Sequence, residues 1–141
     1  MSQFTAWATG LCPDVPIVQK IVVIVEDAET LAHSLATVLE TLPGVKTVVT
    51  RDPRTALALF GAPDSAISAL VTDLNLPYVD GFELIQQIRT MAAYTKLPVI
   101  MISADERATA LNGSAPHPAN ALFRKPFSLK EVRRVLEELL E

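Results

Sequence analysis

The chain has a single cysteine, Cys12, so no internal disulfide can form, and no Cys/His group stands at zinc-ligand spacing. That usage suits a reducing, cytoplasmic setting. Long apolar runs are absent too: the longest, Ile21 to Val25 and Val99 to Ile102, fall far short of the ~20 residues needed to cross a bilayer. No membrane partner is expected. Basic residues are in deficit, 12 against 16 acidic for a net charge of −4, and Arg51, Arg54, Arg133 and Arg134 are too dispersed for a nucleic-acid patch. Met1 to Lys20 lacks the basic start and apolar centre of a signal peptide, and Pro13 and Pro16 would break a helix there. No repeat or low-complexity tract is visible. What remains is 141 residues, half of them hydrophobic and a fifth charged, the size and composition of one globular domain. Residues 1–19 read as an extension, whose Phe4 and Trp7 could pack back or meet a partner. Residues 20–141 read as the domain.

From Lys20 onward two patterns alternate. Ile21 to Val25 is a β-branched run without polar alternation, as in a strand covered on both faces. Leu31, Leu35, Val38, Leu39 and Leu42 then draw one stripe on a helix that Pro43-Gly44 ends. Val45 to Thr50 is a second strand. Asp52-Pro53 supplies an N-cap and a first-turn proline for the next helix, which Gly61-Ala62-Pro63 closes. Ile67 to Leu74 makes a third strand, and Asp80 caps a helix carrying Leu84, Ile85, Ile88 and Met91. Leu97 to Ser103 is the fourth strand. Asp105 to Asn112 has the makings of a short fourth helix, cut off by Gly113, Pro116 and Pro118. Ala121 to Arg124 forms a fifth strand, and Ser128 to Glu131 is a capping box before a stripe of Val132, Val135, Leu136, Leu139 and Leu140. Strands alternating with helices demand parallel pairing and right-handed crossovers, hence a doubly wound α/β sheet with helices on both faces.

Such sheets bind ligands at the carboxyl ends of their strands, and here each key strand ends in a charged or hydroxyl residue. Glu26 and Asp27 close the first, Asp73 the third and Ser103 the fourth, and Lys125 follows the fifth. Three carboxylates converging on one rim repel and call for a cation, and a hard divalent ion such as Mg²⁺ suits one or two carboxylates plus a phosphate. Asp27 and Asp73 are the first candidates. Asp73 is also a candidate nucleophile, since a carboxylate can attack phosphorus once cations neutralise the incoming oxygens. Lys125 is a fixed second cation, and Ser103 can donate to a phosphoryl oxygen.

With these residues in view, the chain resembles a response-regulator receiver domain of two-component signalling, in particular the single-domain chemotaxis-type receivers. The likeness spans Ile21 to Glu141. Its marks are Glu26-Asp27, then Asp73-Leu74-Asn75-Leu76-Pro77 with Asp80-Gly81, then Ser103-Ala104, then Lys125-Pro126-Phe127, with order and spacing both in agreement. The resemblance implies a five-stranded parallel sheet of order 2-1-3-4-5. It implies that Asp73 accepts a phosphoryl group from a sensor histidine kinase or a histidine phosphotransfer protein. Asp27, Asp73 and the carbonyl of Asn75 would ligate Mg²⁺, and Glu26 would act through metal-bound water. Ser103, with Ala104 beside it as a binding position, would take the phosphoryl group, and Lys125 would pair with it. A cis peptide would precede Pro126, and Pro77 and Gly81 would shape the loop over the site. The chain would be a regulator rather than an enzyme, its chemistry confined to its own phosphorylation and dephosphorylation, with output by protein contact and a homodimer open to it.

Two departures from the family stand out. The aromatic commonly found three positions before the lysine is Leu122 here, and Phe123, one residue on, belongs to the opposite face of a strand. The interrupted fourth helix alters the usual output face. A receiver-like module that signals without phosphorylation is therefore an alternative. A small Mg²⁺-dependent phosphatase of the haloacid dehalogenase type ranks last, because Asn75 stands where that chemistry uses a second aspartate. Asp52 and Asp80 read as helix caps, His33 is given no role, and His117, between two prolines, reads as a residue of a solvated loop.

Overall fold

A computed structural model describes residues 19–108 and 117–141. The extension, with Phe4, Trp7 and Cys12, lies outside the described residues except for Gln19. So do residues 109–116, which include the second half of the expected fourth helix, Asp105 to Asn112.

In chain order the elements are β1 (Lys20–Val25), α1 (Glu29–Leu39), β2 (Val45–Thr50), α2 (Pro53–Gly61), β3 (Ile67–Asp73), α3 (Gly81–Arg89), β4 (Val99–Ser103), β5 (Ala121–Arg124) and α4 (Leu129–Leu139). Single 3₁₀ turns occupy Ala92–Tyr94 and Glu106–Ala108, the second lying within the expected fourth helix, Asp105 to Asn112. The five strands form one parallel sheet of order β2-β1-β3-β4-β5.

The β-branched runs account for the sheet's centre. Val22 to Val25, Ala69 to Asp73 and all of β4 are buried, as strands roofed on both faces must be. Successive side chains point to opposite faces, and the core divides accordingly. Val23, Val25, Leu70, Val99 and Met101 pack with Phe60 of α2 and Leu84 and Ile88 of α3. Val22, Ile24, Val71, Ile100 and Ile102 pack with Leu35 and Leu39 of α1 and Val132 and Leu136 of α4. Burying each of these large side chains contributes roughly 1.5–3 kcal/mol. Leu122 joins the first face and Phe123 the second, so Phe123 does not occupy the place of the missing aromatic.

Local chemistry sets the helix starts. Asp52 accepts from the Arg54 amide at 2.9 Å with Pro53 in the first turn, and Asp80 accepts from the Glu83 amide at 2.9 Å. Ser128 accepts from the Glu131 amide at 3.4 Å. Arg89, the last residue of α3, clamps the entries to β4 and β5. It donates to the carbonyls of Pro118 and Leu97 and to Asn120 Oδ1, which also accepts from the Val99 amide. β2 is an edge strand, with Val48 and Val49 exposed, and the amide and hydroxyl of Thr47 both donate to Glu40 at the end of α1. Among the described residues no helix is long and apolar enough to cross a membrane.

Candidate functional site

The strand register fixes which residues share the carboxyl rim. Val25 lies opposite Thr72, Asp73 opposite Ile102, and Ser103 opposite Arg124. Glu26, Asp73 and Lys125 therefore leave three different strands at one level. β1 and β3 are neighbours whose outgoing crossovers, through α1 to β2 and through α3 to β4, lead to opposite sides, so a crevice opens where they part.

Lys125 sits at its centre. Its ammonium donates to Asp73 Oδ2 at 2.7 Å and to Glu26 Oε1 at 3.2 Å. The other oxygens are held by backbone: Asp73 Oδ1 accepts from the Asn75 amide at 3.1 Å and Glu26 Oε2 from the Ala28 amide at 3.0 Å. Glu26 is 1 % and Asp73 5 % exposed. Burial, aided by the charge of Asp73, pushes the Glu26 carboxyl above its ordinary value against the opposing pull of the Ala28 amide and Lys125. Burial alone would lower the Lys125 ammonium, but hydrogen bonds and charge from Asp73 and Glu26 outweigh it and raise the group. The peptide between Lys125 and Pro126 is cis, as the resemblance implied.

Ser103 is fully buried, and its carbonyl accepts from the Lys125 amide at 3.0 Å. Its hydroxyl oxygen is turned to its own loop, where it accepts from the Asp105 amide at 3.0 Å. Asp27, Asn75 and Ala104 are exposed on the rim. Gly81 explains the loop between β3 and α3: its amide donates to the Leu74 carbonyl, and a Cβ there would lie 2.5 Å from the Asp73 carbonyl oxygen. Only glycine lets α3 start this close beneath the aspartate.

Two features were not foreseen from sequence. Tyr78, exposed and at φ 72°, lies beneath the Arg54 guanidinium, 3.7 Å from the ring centroid, which ties that loop to the start of α2. No local pattern signals a pair so far apart in the chain. The other is His117, whose assignment to a solvated loop is corrected: its ring is half-buried, packs on Phe82 and is bonded through both nitrogens. The flanking prolines hid this by suggesting an open loop.

Carboxylate oxygens are the donor type a hard cation such as Mg²⁺ takes. Among the described residues no three His, Cys, Asp or Glu side chains gather into a ready-made metal cage. Glu26 and Asp73 stand against one lysine, and Asp27 is exposed at the end of β1, so acidic groups outnumber the cation. Two carboxylates and a carbonyl, completed by water, are what a small hard cation takes.

The comparisons agree with this geometry. The family model described as the response regulator receiver domain matches residues 22–137. The chemotaxis protein CheY of Pseudomonas aeruginosa is 27% identical over 120 residues, 85% of this chain and 95% of that protein. The receiver domain of the Francisella response regulator 1452 superposes with a TM-score of 0.72 at 26% identity, covering 86% of this chain and 97% of the other. The receiver domain of the sensor histidine kinase PA1611 of P. aeruginosa, described with a magnesium ion coordinated in its active-site cleft, superposes with a TM-score of 0.70 at 23% identity, covering 87% and 98%. A parallel sheet of order β2-β1-β3-β4-β5 with an acidic crevice at its carboxyl rim, matched along most of its length by that model, makes this chain a member of the response regulator receiver domain family.

Proposed function

We propose that the chain is a phosphorylation-dependent switch whose acceptor is Asp73. The observation that carries this is the 2.7 Å bond between Asp73 Oδ2 and a lysine from another strand, inside a pocket with surplus negative charge. The cation steadies a carboxylate that is almost fully buried yet lies at the crevice. A carboxylate oxygen of Asp73 attacks the phosphorus of a donor phosphohistidine. The P–O bond forms as the P–N bond breaks, and the imidazole leaves with the P–N electron pair, neutral because its other ring nitrogen carries a proton. Lys125 moves from carboxylate to phosphoryl oxygen, and Ser103 donates to another. Asp27, Asp73 and the Asn75 carbonyl would hold Mg²⁺, with Glu26 acting through water, and the ion would neutralise charge on the phosphoryl oxygens. Ala104 lines the entry beside Ser103. Phosphate can bias the domain only by as much as it binds one conformation better. Charge-assisted bonds at roughly 1.5–3 kcal/mol each are enough for a large shift.

The donor in this reading is a sensor histidine kinase or a histidine phosphotransfer protein in the cytoplasm, and the output is contact with a protein partner. Leu122, packed into the α2–α3 side of the core, favours a second reading in which the domain signals by contact without phosphorylation. Intact-protein mass spectrometry after incubation with acetyl phosphate and Mg²⁺ separates the two. One phosphoryl adduct, lost in Asp73→Asn and in EDTA, is expected. No adduct on a folded chain would put the second reading first.

A further inference from the structure

His117 has no part in the chemistry above, yet both its ring nitrogens are engaged. Nδ1 accepts from the Ala119 amide at 3.0 Å, and Nε2 meets the Ala108 carbonyl. An accepting nitrogen carries no proton and a carbonyl can only accept, so the ring holds its hydrogen on Nε2. The imidazole meets Phe82 of α3 edge to face, with ring centroids 5.8 Å apart at 61°. The histidine thus fastens residue 108 to residue 119 and both to α3.

Ala108 closes the turn that begins at Ser103. Its amide donates to the Asp105 carbonyl at 3.0 Å, and the Asp105 amide donates to Ser103 Oγ at 3.0 Å. Hydrogen bonds therefore run without a break from the Ser103 hydroxyl through Asp105, Ala108 and His117 to the Ala119 amide. Ala119 is itself buried in the core that holds Leu122 and Phe82. Because Ser103 is fully buried and its oxygen is already bonded to this turn, the hydroxyl cannot shift far without moving the turn.

We propose that His117 is a positioning residue for Ser103: by pinning the far end of the turn it holds the hydroxyl in its resting place. A phosphoryl group on Asp73 that draws Ser103 inward then loosens the clasp and carries the change to the surface between α3 and β5, at Phe82 and Pro118. This rests on the reading of Asp73 as the phosphoacceptor. Adjacency alone does not establish coupling, so the test measures it.

The full chain is titrated with beryllofluoride and Mg²⁺, a mimic of the acyl phosphate, and followed by NMR of the imidazole nitrogens and backbone amides. The resting spectrum should show the Nε2–H tautomer for His117. On binding, the His117 ring and the Ala119 amide should shift; Ser103→Ala, which loses one donor to the probe and is titrated to saturation at correspondingly higher beryllofluoride, should leave them in place. His117→Phe keeps a ring against Phe82 but removes both nitrogen bonds. It should bind the probe about fivefold more tightly, the lower edge of ordinary coupling energies, and that gain should vanish in the Ser103→Ala background. An Nδ1–H tautomer, binding that leaves His117 and Ala119 unmoved, or a His117→Phe effect that is nil or equal in both backgrounds overturns the proposal alone. Absence of probe binding to the folded chain overturns the phosphoacceptor reading and this proposal with it.

Discussion

Replacing Lys125 by methionine, similar in length but uncharged, isolates the role of its charge. In the native site the ammonium lies between Glu26 and Asp73, at 3.2 and 2.7 Å. Without it two almost fully buried carboxylates face each other unpaired. Breaking a fully buried pair costs about 3–5 kcal/mol. The lysine side chain is 26 % exposed, so water relieves part of this, and a loss of about 2 kcal/mol is expected in EDTA. The pH dependence has a definite sign. Glu26 is held above its ordinary value in the folded chain, so the folded state binds the proton more tightly. Its contribution is present below the ordinary value and lost as pH rises through the folded one. Removing Lys125 takes away a group that lowers Glu26, so the window widens and Lys125→Met should regain stability as the medium is made mildly acidic. Mg²⁺, binding the folded state only, adds about 2.7 kcal/mol at a hundredfold excess over its dissociation constant, and should rescue the variant more than the parent. Urea unfolding followed by far-ultraviolet circular dichroism, with EDTA or Mg²⁺ at mildly acidic and mildly alkaline pH, reads all three effects. A variant as stable as the parent in EDTA at alkaline pH would refute the reasoning.

Gly81→Ala places a methyl 2.5 Å from the Asp73 carbonyl oxygen and 2.9 Å from Leu74 Cα. Both are backbone atoms that cannot swing aside, so a loss of about 3 kcal/mol or more is expected in urea unfolding, with weaker Mg²⁺ binding by calorimetry. Asp80→Ala removes the cap on the Glu83 amide and should lower stability by about 1 kcal/mol while leaving the phosphoryl adduct in place by mass spectrometry. Glu26→Gln removes the carboxylate that burial disfavours most; in EDTA at alkaline pH its melting temperature should match or exceed the parent's, and a clear fall would count against electrostatic crowding at the rim.

The parts of the fold that depend on neighbouring residues could be read from sequence. The β-branched runs of β1 and β4 became the buried centre of the sheet, and Asp52, Asp80 and Ser128 became the caps their spacing suggested. The opposite placement of Leu122 and Phe123 followed from the two-residue period of a strand. The polar residues at the strand ends pointed to one rim because a parallel sheet brings all carboxyl ends to the same side. What sequence concealed were pairings set by tertiary proximity. Glu26 bonds Lys125 directly across the sheet, although 99 residues separate them in the chain. Tyr78 beneath Arg54 and His117 against Phe82 join segments that no periodicity relates.

The open edge of the sheet gives one more consequence. A lone outer strand offers a row of amide donors and carbonyl acceptors on which another chain can extend the sheet, and exposed Val48 and Val49 add apolar surface to that invitation. Glu40 takes both the amide and the hydroxyl of Thr47 near the middle of that row. Those bonds hold its carboxyl below the ordinary range and so keep it ionised. An arriving strand would have to displace a charged acceptor to zip past Thr47. A single acidic side chain at the end of α1 thereby raises the cost of strand addition at this edge.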